Sequence, residues 1–320
     1  MYYLGIDLGG TNIAAGIVSE DLKMIVKGSV PTKRDAHYSE IIRDMAELSV
    51  RLINEAGLSA GDIEYIGIGS PGVCDRENGI LLYANNINFN DVPVAEEMQK
   101  HIQLPVYLDN DANCAALGES VAGAARDVSD SVTITLGTGI GGGIVLNRRI
   151  FGGFNGMAGE IGHSLLVFDG EPCTCGRKGC WEAYASATAL IRQTKIAAQK
   201  NPDSVINSLV DGKLELINAK TAFDAMRLGD RTGTEVVETY IRYLGEGIAN
   251  IMVILQPEKI VIGGGISKEG ETLLGPLRKV VKDNLYYKKD NVPQAQIVKA
   301  ELGNDAGIIG AAMLGMQGRI

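Results

Sequence analysis

The sequence has no long apolar run, no excess of basic residues and few cysteines, and each deficiency excludes a class of protein. The apolar stretch at residues 248–255, which Asn250 interrupts, is far shorter than the about 20 residues of a membrane-spanning helix. A net charge of −9 offers no basic surface to nucleic acid. The N-terminus enters an apolar strand at once, without the basic segment of a signal peptide. We therefore expect a cytoplasmic protein that binds neither membranes nor nucleic acid.

Glycine is the residue present in excess. The chain has 320 residues and 41 glycines, roughly an eighth of the total against about 7% in an average protein. The glycines cluster after apolar runs, where glycine usually lets the backbone approach a ligand or adopt a positive φ.

Two strand-turn-strand patterns, more than a hundred residues apart, contain the first two glycine clusters. Apolar β-type runs at residues 2–6 and 13–18 flank the first turn, and runs at 131–136 and 144–146 flank the second. The recurrence predicts two related lobes in an α/β protein. Around the turns, apolar spacing predicts helices at 37–56, 94–102, 111–121, 236–255 and 305–317, and strands at 65–68, 106–108 and 258–262.

The glycine-rich turns favour phosphate binding. Such a turn presents backbone N–H groups to phosphate oxygens, and Thr11 and Thr138 add hydroxyl donors. Asp7, beside the first turn, could hold Mg²⁺. Neither turn has the Gly-Lys-Ser/Thr ending of a Walker A loop. For either turn alone, a tight hairpin without a ligand is the alternative, and the third cluster, Gly263, Gly264 and Gly265, weighs against it.

Asn110 and Asp111 lie where a predicted strand meets a predicted helix. Asparagine and aspartate are favoured N-cap residues, so a purely structural role is one interpretation. The other is that Asp111 accepts the proton of a hydroxyl that attacks a γ-phosphate. The helix N-terminus should then lower the pKa of Asp111, which matters little because phosphoryl transfer depends more on orientation than on base strength.

A histidine and three cysteines, close together in sequence, match a tetrahedral zinc site. His163, Cys173, Cys175 and Cys180 form a Cys₃His set that leaves no open position for water, so the zinc should be structural. Unconnected reduced thiols are the alternative. The isolated Cys74 and Cys114 are expected in the core, and the isolated His37 and His101 at the surface.

Carboxylates flank the predicted zinc ligands. A folded zinc loop would bring Glu160 and Glu182 together on one wall, where they could accept hydrogen bonds from sugar hydroxyls. Alternatively, Glu182 is an acid in the first turn of a helix. The asparagines at 85, 86 and 88 could add amides to the same site or form an ordinary turn.

Five motifs together resemble the ROK family (repressors, open reading frames and kinases) across essentially the whole chain. The motifs are LGIDLGGTN at 4–12, NDANCAALGE at 110–119, LGTGIGGG at 136–143, GEIGH at 159–163 and CTCGRKGCWE at 173–182. The resemblance implies an actin-like ATPase (ribonuclease H-like) fold with two lobes around a central cleft. We expect a small lobe of residues 1–111 plus about 303–320, and a large lobe of about 112–302 with the zinc loop and nucleotide-binding segments.

The resemblance also implies roles for individual residues. Asp111 matches the catalytic base. The matches to sugar ligands are Asn110, Glu160, His163 and Glu182, and Asn86 is expected to join them. The matches to phosphate contacts are Gly9, Gly10, Thr11, Thr138 and Gly139, and those near the adenosine are Gly263, Gly264 and Gly265. Asp7 and Asn12 are expected to join the nucleotide-binding residues. His163 would use one ring nitrogen for zinc and the other for the sugar.

Within the family the chain looks most like the bacterial glucokinases. This implies that it transfers the γ-phosphate of ATP, with Mg²⁺, to the 6-hydroxyl of glucose at the start of glycolysis. A kinase for N-acetylmannosamine, mannose or fructose is the alternative, followed by a sugar-sensing repressor without catalytic activity. The family also implies a homodimer or higher homo-oligomer whose cleft closes on the sugar, with hinges near Asp111 and Gly303.

Overall fold

A computed structural model describes residues 1–84, 87–289 and 291–317. The chain divides into two compact units. Unit 1 comprises Met1–Thr133, Gly142–Gly159 and Ala300–Ile320, and unit 2 comprises Ile134–Gly141 and Glu160–Lys299. No helix in the described part of the chain is both long and apolar enough to cross a membrane.

Unit 1 contains a five-stranded mixed sheet with the order β3-β2-β1-β4-β8. Its strands are β1 (Tyr2–Leu8), β2 (Asn12–Ser19), β3 (Met24–Pro31), β4 (Ile63–Ser70) and β8 (Val106–Asn110). The first three strands are antiparallel, and β4 and β8 run parallel to β1. The central β1 and β4 are buried along most of their length, whereas the edge strand β3 has no fully buried residue. A smaller antiparallel sheet contains β5 (Val73–Asp75), β6 (Ile80–Ala84) and β7 (Phe89–Val92).

Four helices complete unit 1, namely α1 (Tyr38–Glu55), α2 (Val94–Gln99), α3 (Asp111–Val121) and α10 (Ala306–Ala312). Helix α1 buries its apolar face, which includes Ile41, Met45 and Leu52, in the core beside the sheet. Helices α3 and α10 pack with their backbones in contact, because a Cβ at Gly118 or Gly310 would overlap the main chain of the other helix. This contact fixes the helix that begins at Asp111.

The second five-stranded sheet has the order β11-β10-β9-β12-β13. Its strands are β9 (Ser131–Leu136), β10 (Ile140–Leu146), β11 (Arg149–Ile150), β12 (Lys259–Gly264) and β13 (Gln296–Lys299). The chain passes from one unit to the other within β9 and again within β10. The helices of unit 2 are α4 (Glu182–Ala185), α5 (Ala187–Lys200), α6 (Val205–Leu209), α7 (Thr221–Arg227), α8 (Arg231–Leu255) and α9 (Glu271–Asn284). The long α8 packs against α5, α7 and α9.

Most predicted elements are present, including helix α3 over the predicted residues 111–121. The final helix is shorter than the predicted 305–317. Helix α10 ends at Ala312, whose carbonyl accepts a 2.6 Å hydrogen bond from the hydroxyl of Tyr65. A separate 3₁₀ turn, Leu314–Met316, follows.

The compact units divide the chain at other positions than the predicted lobes. Residues 112–133 and 142–159 belong to unit 1, because α3 packs on α10, whereas the predicted lobe boundary lies at residue 111. We expected two lobes that move on sugar binding, with hinges near Asp111 and Gly303, and their boundaries stay predictions.

Candidate active site

The first glycine turn connects β1 to β2 in unit 1, as predicted. The N–H of Gly9 donates a 3.0 Å hydrogen bond to the carbonyl of Asn12, which closes the turn. Thr32, after β3, holds it from the side. Its hydroxyl donates to the carbonyl of Gly9 at 2.7 Å, and its N–H donates to the carbonyl of Thr11 at 2.8 Å. Thr11 and Asn12 are exposed at the tip, so the predicted phosphate-binding residues share one accessible turn.

An open groove of about 410 Å³ lies beside this turn, and the sequence analysis did not identify residues 32–36 as part of its lining. Gly10 and Thr11 line one part, and residues 32–36 line the rest. The second segment brings two cations, Lys33, whose ammonium lies 3.0 Å from Asp44, and the exposed Arg34. The antiparallel register that pairs Asn12 with Pro31 brings the two segments together. The lengths of β2 and β3 could have predicted this pairing from the sequence.

Three parallel strands bring Asp7 and Asp111 to one edge of the first sheet. Asp7 near the end of β1 pairs with Gly69 of β4, and Gly69 pairs with Asp109 of β8. Asp111 follows two residues later as the first residue of α3. This edge is where an open α/β sheet usually binds ligands.

Asn110 is the N-cap of α3. Its side-chain oxygen accepts hydrogen bonds from the N–H groups of Ala112 at 2.9 Å and Asn113 at 3.3 Å, and its amide donates to the carbonyl of Gly72 at 3.0 Å. The predicted N-cap position of Asn110 is therefore confirmed, and these contacts fix the rotamer of the side chain. Asp111 is oriented by an N–H from Ala112 at 2.8 Å.

Burial raises the pKa of both carboxyl groups at this edge. Desolvation raises the pKa of Asp7 to about 6, with the charge of Asp111 as a second cause. Desolvation also raises the pKa of Asp111 and outweighs the hydrogen bond from the Ala112 N–H, which lowers it. The prediction that the helix N-terminus would lower the pKa of Asp111 is therefore wrong. A carboxylate with a raised pKa is a stronger base.

An ion pair that the sequence analysis missed holds Asp109, the residue directly before Asn110 and Asp111. Asp109 is 3% exposed and lies 3.0 Å from the guanidinium of Arg76. It also accepts hydrogen bonds from the side chain of Asn113 at 2.9 Å and from the N–H of Asn110 at 2.6 Å. Burial raises the pKa of Asp109, and Arg76 opposes that rise. The sequence signal that could have indicated this role was a third polar residue, Asp109, directly before Asn110.

The second glycine turn, between β9 and β10, lies in unit 2 with the third glycine cluster. The N–H of Gly137 donates to the carbonyl of Gly139 at 3.0 Å, and the N–H of Ala187 donates to the carbonyl of Gly137 at 2.9 Å. Gly264, with a φ of 82°, packs so closely on the backbone of Leu136 that a Cβ would overlap it. The predicted phosphate and adenosine segments of unit 2 are therefore neighbours, with Thr138, Gly264 and Gly265 exposed.

The predicted sugar ligands of unit 2 lie on two paired segments. Leu165 and Cys180 form an antiparallel bridge, and the N–H of Trp181 donates to the carbonyl of Ser164 at 2.9 Å. This pairing places Glu182, the first residue of α4, beside the 3₁₀ helix Ile161–His163. Glu160 precedes that helix and is exposed. Asn86 lies outside the described residues.

The four predicted metal ligands form one cluster. The ligand atoms of His163, Cys173, Cys175 and Cys180 all lie within 4.8 Å of one another. The Sγ atoms of Cys175 and Cys180 are 3.7 Å apart, and Cys173 Sγ is 3.5 Å from His163 Nδ1. Zinc–sulfur bonds of about 2.3 Å in a tetrahedron require sulfur–sulfur distances of about 3.8 Å. The cluster therefore fits Zn²⁺.

The thiols themselves indicate a need for a cation. Desolvation, together with hydrogen bonds from Cys175 and Cys173, raises the pKa of Cys180 to about 12. A bound metal would hold the sulfurs as thiolates and release their protons. All five cysteines are free, with Cys74 and Cys114 buried as predicted.

Known proteins resemble this chain over nearly its whole length. A glucokinase from Halalkalibacterium halodurans is 38% identical over 98% of this chain and 94% of its own. A glucokinase from Thermotoga maritima is 39% identical over 97% and 96%. A ROK family glucokinase from Streptomyces griseus, solved in complex with glucose and AMPPNP, is 36% identical with a TM-score of 0.83 over 98% of this chain and 99% of its own. The actin-like ATPase fold is confirmed by these similarities. The model of the ROK family matches residues 3–317, and the chain belongs to the ROK family.

Proposed function

We propose that this chain is an ATP-dependent hexose kinase that phosphorylates glucose at its 6-hydroxyl. The observation that carries the proposal is the position of Asp111, a carboxylate with a raised pKa at the sheet edge where Asp7 leads into the first glycine turn. The glucokinases that resemble the chain over almost its full length support glucose as the acceptor.

Asp111 is the proposed base. It accepts the proton of the sugar hydroxyl while the hydroxyl oxygen forms a bond to the γ-phosphorus, and the bond from that phosphorus to the bridging oxygen of ADP breaks. The raised pKa favours this proton transfer near neutral pH. The hydrogen bond from the Ala112 N–H holds one carboxylate oxygen of Asp111, and the capped helix keeps its backbone rigid.

The three glycine clusters are the proposed contacts of the nucleotide. Gly9, Gly10, Thr11 and Asn12 of the first turn and Thr138 and Gly139 of the second would contact phosphates, and Gly263, Gly264 and Gly265 would contact the adenosine. Asp7 fits a role in holding Mg²⁺, because two half-buried carboxyl groups with raised pKa values lie near each other and a cation would stabilise their charged forms. Bound Mg²⁺ would neutralise charge on the triphosphate.

The sugar would be held by carboxylates and amides. Glu160 and Glu182 would accept hydrogen bonds from hydroxyls, and Asn110 and Asn86 would contribute amides. The Nδ1 atom of His163 faces the cysteine cluster, which leaves Nε2 for the sugar. Glu160, His163 and Glu182 form the proposed sugar wall. Structural Zn²⁺, held by His163 and the three cysteines, would keep the loop at 173–180 folded against this wall.

A hexose panel tests this function. Glucose, mannose, fructose and N-acetylmannosamine are supplied separately with ATP and Mg²⁺, ADP release is measured by a coupled assay, and the product is identified by ³¹P NMR. We expect the highest kcat/KM with glucose and glucose 6-phosphate as the product. A higher kcat/KM for one of the other sugars would reassign the substrate, and no sugar-dependent ADP release would overturn the kinase proposal. The oligomeric state and the cytoplasmic location stay predictions.

A further inference from the structure

The carboxylate of Glu182 lies between two parts of unit 2 that have separate proposed ligands. Its Oε2 accepts a 2.9 Å hydrogen bond from the N–H of Ile140, which directly follows the second glycine turn. Its Oε1 lies 3.4 Å from the hydroxyl of Thr174 in the cysteine loop. We propose that Glu182 is a positioning residue that holds the turn at residues 137–139 in the shape that binds the phosphates of ATP. The proposal rests on the kinase function and deepens it.

The fit between this carboxylate and the turn is close. A Cβ on Gly139 would overlap Oε2 of Glu182. The φ of Gly139 is not positive, so its backbone conformation does not demand glycine at this position. A side chain at this position would displace the carboxylate, which lies directly against the main chain. Glu182 therefore packs on the turn as well as accepting a hydrogen bond from it.

The peptide groups of Ile140 are held by both segments of the sugar wall. Glu182 accepts its N–H, and Gly162 approaches its carbonyl so closely that a Cβ would overlap the oxygen. Gly162 belongs to the 3₁₀ helix that ends at His163. The two segments that carry proposed sugar ligands thus also contact the residue that directly follows the phosphate-binding turn.

The physical benefit of the contact is order. A turn that is already fixed loses less conformational entropy when it binds a ligand. A carboxylate close to a triphosphate also repels it, so a benefit from Glu182 must come from its reach and its acceptor oxygen, and not from its charge. Mutation can change the length and the charge of the Glu182 side chain separately.

The cysteine loop holds the other carboxylate oxygen. Cys173 Sγ lies 3.7 Å from Oε1, but a metal-bound thiolate has no proton to donate. The hydroxyl of Thr174 then remains as the donor from that loop, at 3.4 Å. Thr174 is exposed and is not one of the clustered ligands, so it can be changed without removing a ligand.

Titration of AMPPNP into the zinc-loaded full chain, with Mg²⁺ and without sugar, tests the proposal. In Glu182→Asp the carboxylate keeps its charge but cannot reach Ile140 and Thr174 together, so we expect the Kd for AMPPNP to rise about tenfold. In Glu182→Gln the length and an acceptor oxygen remain, so the Kd for AMPPNP should stay within about threefold of the wild type. Thr174→Val should raise it about twofold to threefold. Glucose titrations of the same variants should show weaker binding for both changes at Glu182.

Glu160→Asp and Glu160→Gln are the matched controls, since they make the same changes at the other proposed sugar carboxylate. We expect them to weaken glucose binding and to leave the Kd for AMPPNP unchanged. Equal AMPPNP affinity in Glu182→Asp and the wild type would overturn the proposal and leave Glu182 a sugar ligand only. A lowered melting temperature with loss of both ligands in Glu182→Asp and Glu182→Gln alike would also overturn it, because that result indicates a general structural role. If the wild type failed to phosphorylate glucose, the proposed function would fail, while the AMPPNP titrations, which need no acceptor, would still decide the role of Glu182.

Discussion

The two glycine turns are alike in sequence and are held by different chemistry. Both turns are closed by a hydrogen bond within their own backbone. The first turn, in unit 1, is also held by the neutral hydroxyl and the N–H of Thr32, the residue after β3. The second turn, in unit 2, is also held by the N–H of Ala187 and by the carboxylate of Glu182, which lies near the cysteine loop. The second turn is therefore connected through Glu182 to the cysteine loop. A repeated motif has acquired different supports, and perturbations of the two supports should have different effects.

Loss of zinc should have the largest effect and should act on unit 2. We expect about one zinc per wild-type chain by elemental analysis. Cys175→Ser should lose the metal and weaken glucose binding about a hundredfold, because the loop that supports Glu182 would unfold. Cys74→Ser is the control, since it removes a thiol outside the cluster. Glucose affinity that survives chelation of the zinc would separate the metal from the sugar wall.

The half-buried Asp7 beside the first turn should make stability depend on pH. Its pKa is about 6 in the folded protein against an ordinary value of 3.8, so the folded state binds the proton more tightly than the unfolded state. Ionisation therefore destabilises the fold, with no cost below about pH 4 and the full cost above about pH 6. Asp7→Asn should raise the free energy of unfolding by about 2–3 kcal/mol at pH 8 and by almost nothing at pH 4.

Urea unfolding of the chain without ATP or Mg²⁺ at the two pH values measures this difference. Asp35→Asn, at an exposed carboxylate of the same unit, is the control and should change neither value. A gain in Asp7→Asn that is the same at pH 4 and pH 8 would contradict the assignment of the cost to the Asp7 charge.

Loss of the hydrogen bond from the Thr32 hydroxyl to the first turn should have the smallest effect. Thr32→Val removes the hydroxyl that donates to the Gly9 carbonyl and leaves the backbone contact with Thr11 in place. One neutral hydrogen bond stabilises by about 1 kcal/mol, so the Kd for AMPPNP should rise about fivefold while the Kd for glucose stays constant. Thr32→Ser keeps the hydroxyl and should restore nucleotide binding. An equal change in both Kd values would show that the first turn is also coupled to the sugar.

Local patterns in the sequence predicted the local structure well. The apolar runs around the turns gave both hairpins, and the polar pair at 110–111 marked the start of α3. The spacing of the three cysteines with His163 predicted the metal cluster, because the glycines of that loop permit a tight turn. These features depend on residues that are close in sequence, or on side chains with one strong chemical preference.

Features that depend on burial or on distant pairing were not predicted. The helix N-terminus suggested a lowered pKa for Asp111, but the surrounding fold desolvates the carboxyl group and raises the pKa. The hydrogen bond from Ile140 to Glu182 joins residues 42 positions apart in sequence, and no local pattern indicates it. The ion pair of Arg76 with Asp109 likewise forms only when the small antiparallel sheet packs on β8.

The central claim is that Asp111 performs the proton transfer in a glucose kinase. The most direct measurement compares the wild type with Asp111→Asn, using the Kd for glucose from calorimetry and kcat from ADP release. We expect the Kd to stay within about threefold, while kcat falls about 10³-fold to 10⁴-fold because a positioned general base is lost. A kcat close to that of the wild type, with glucose bound normally, would contradict the account.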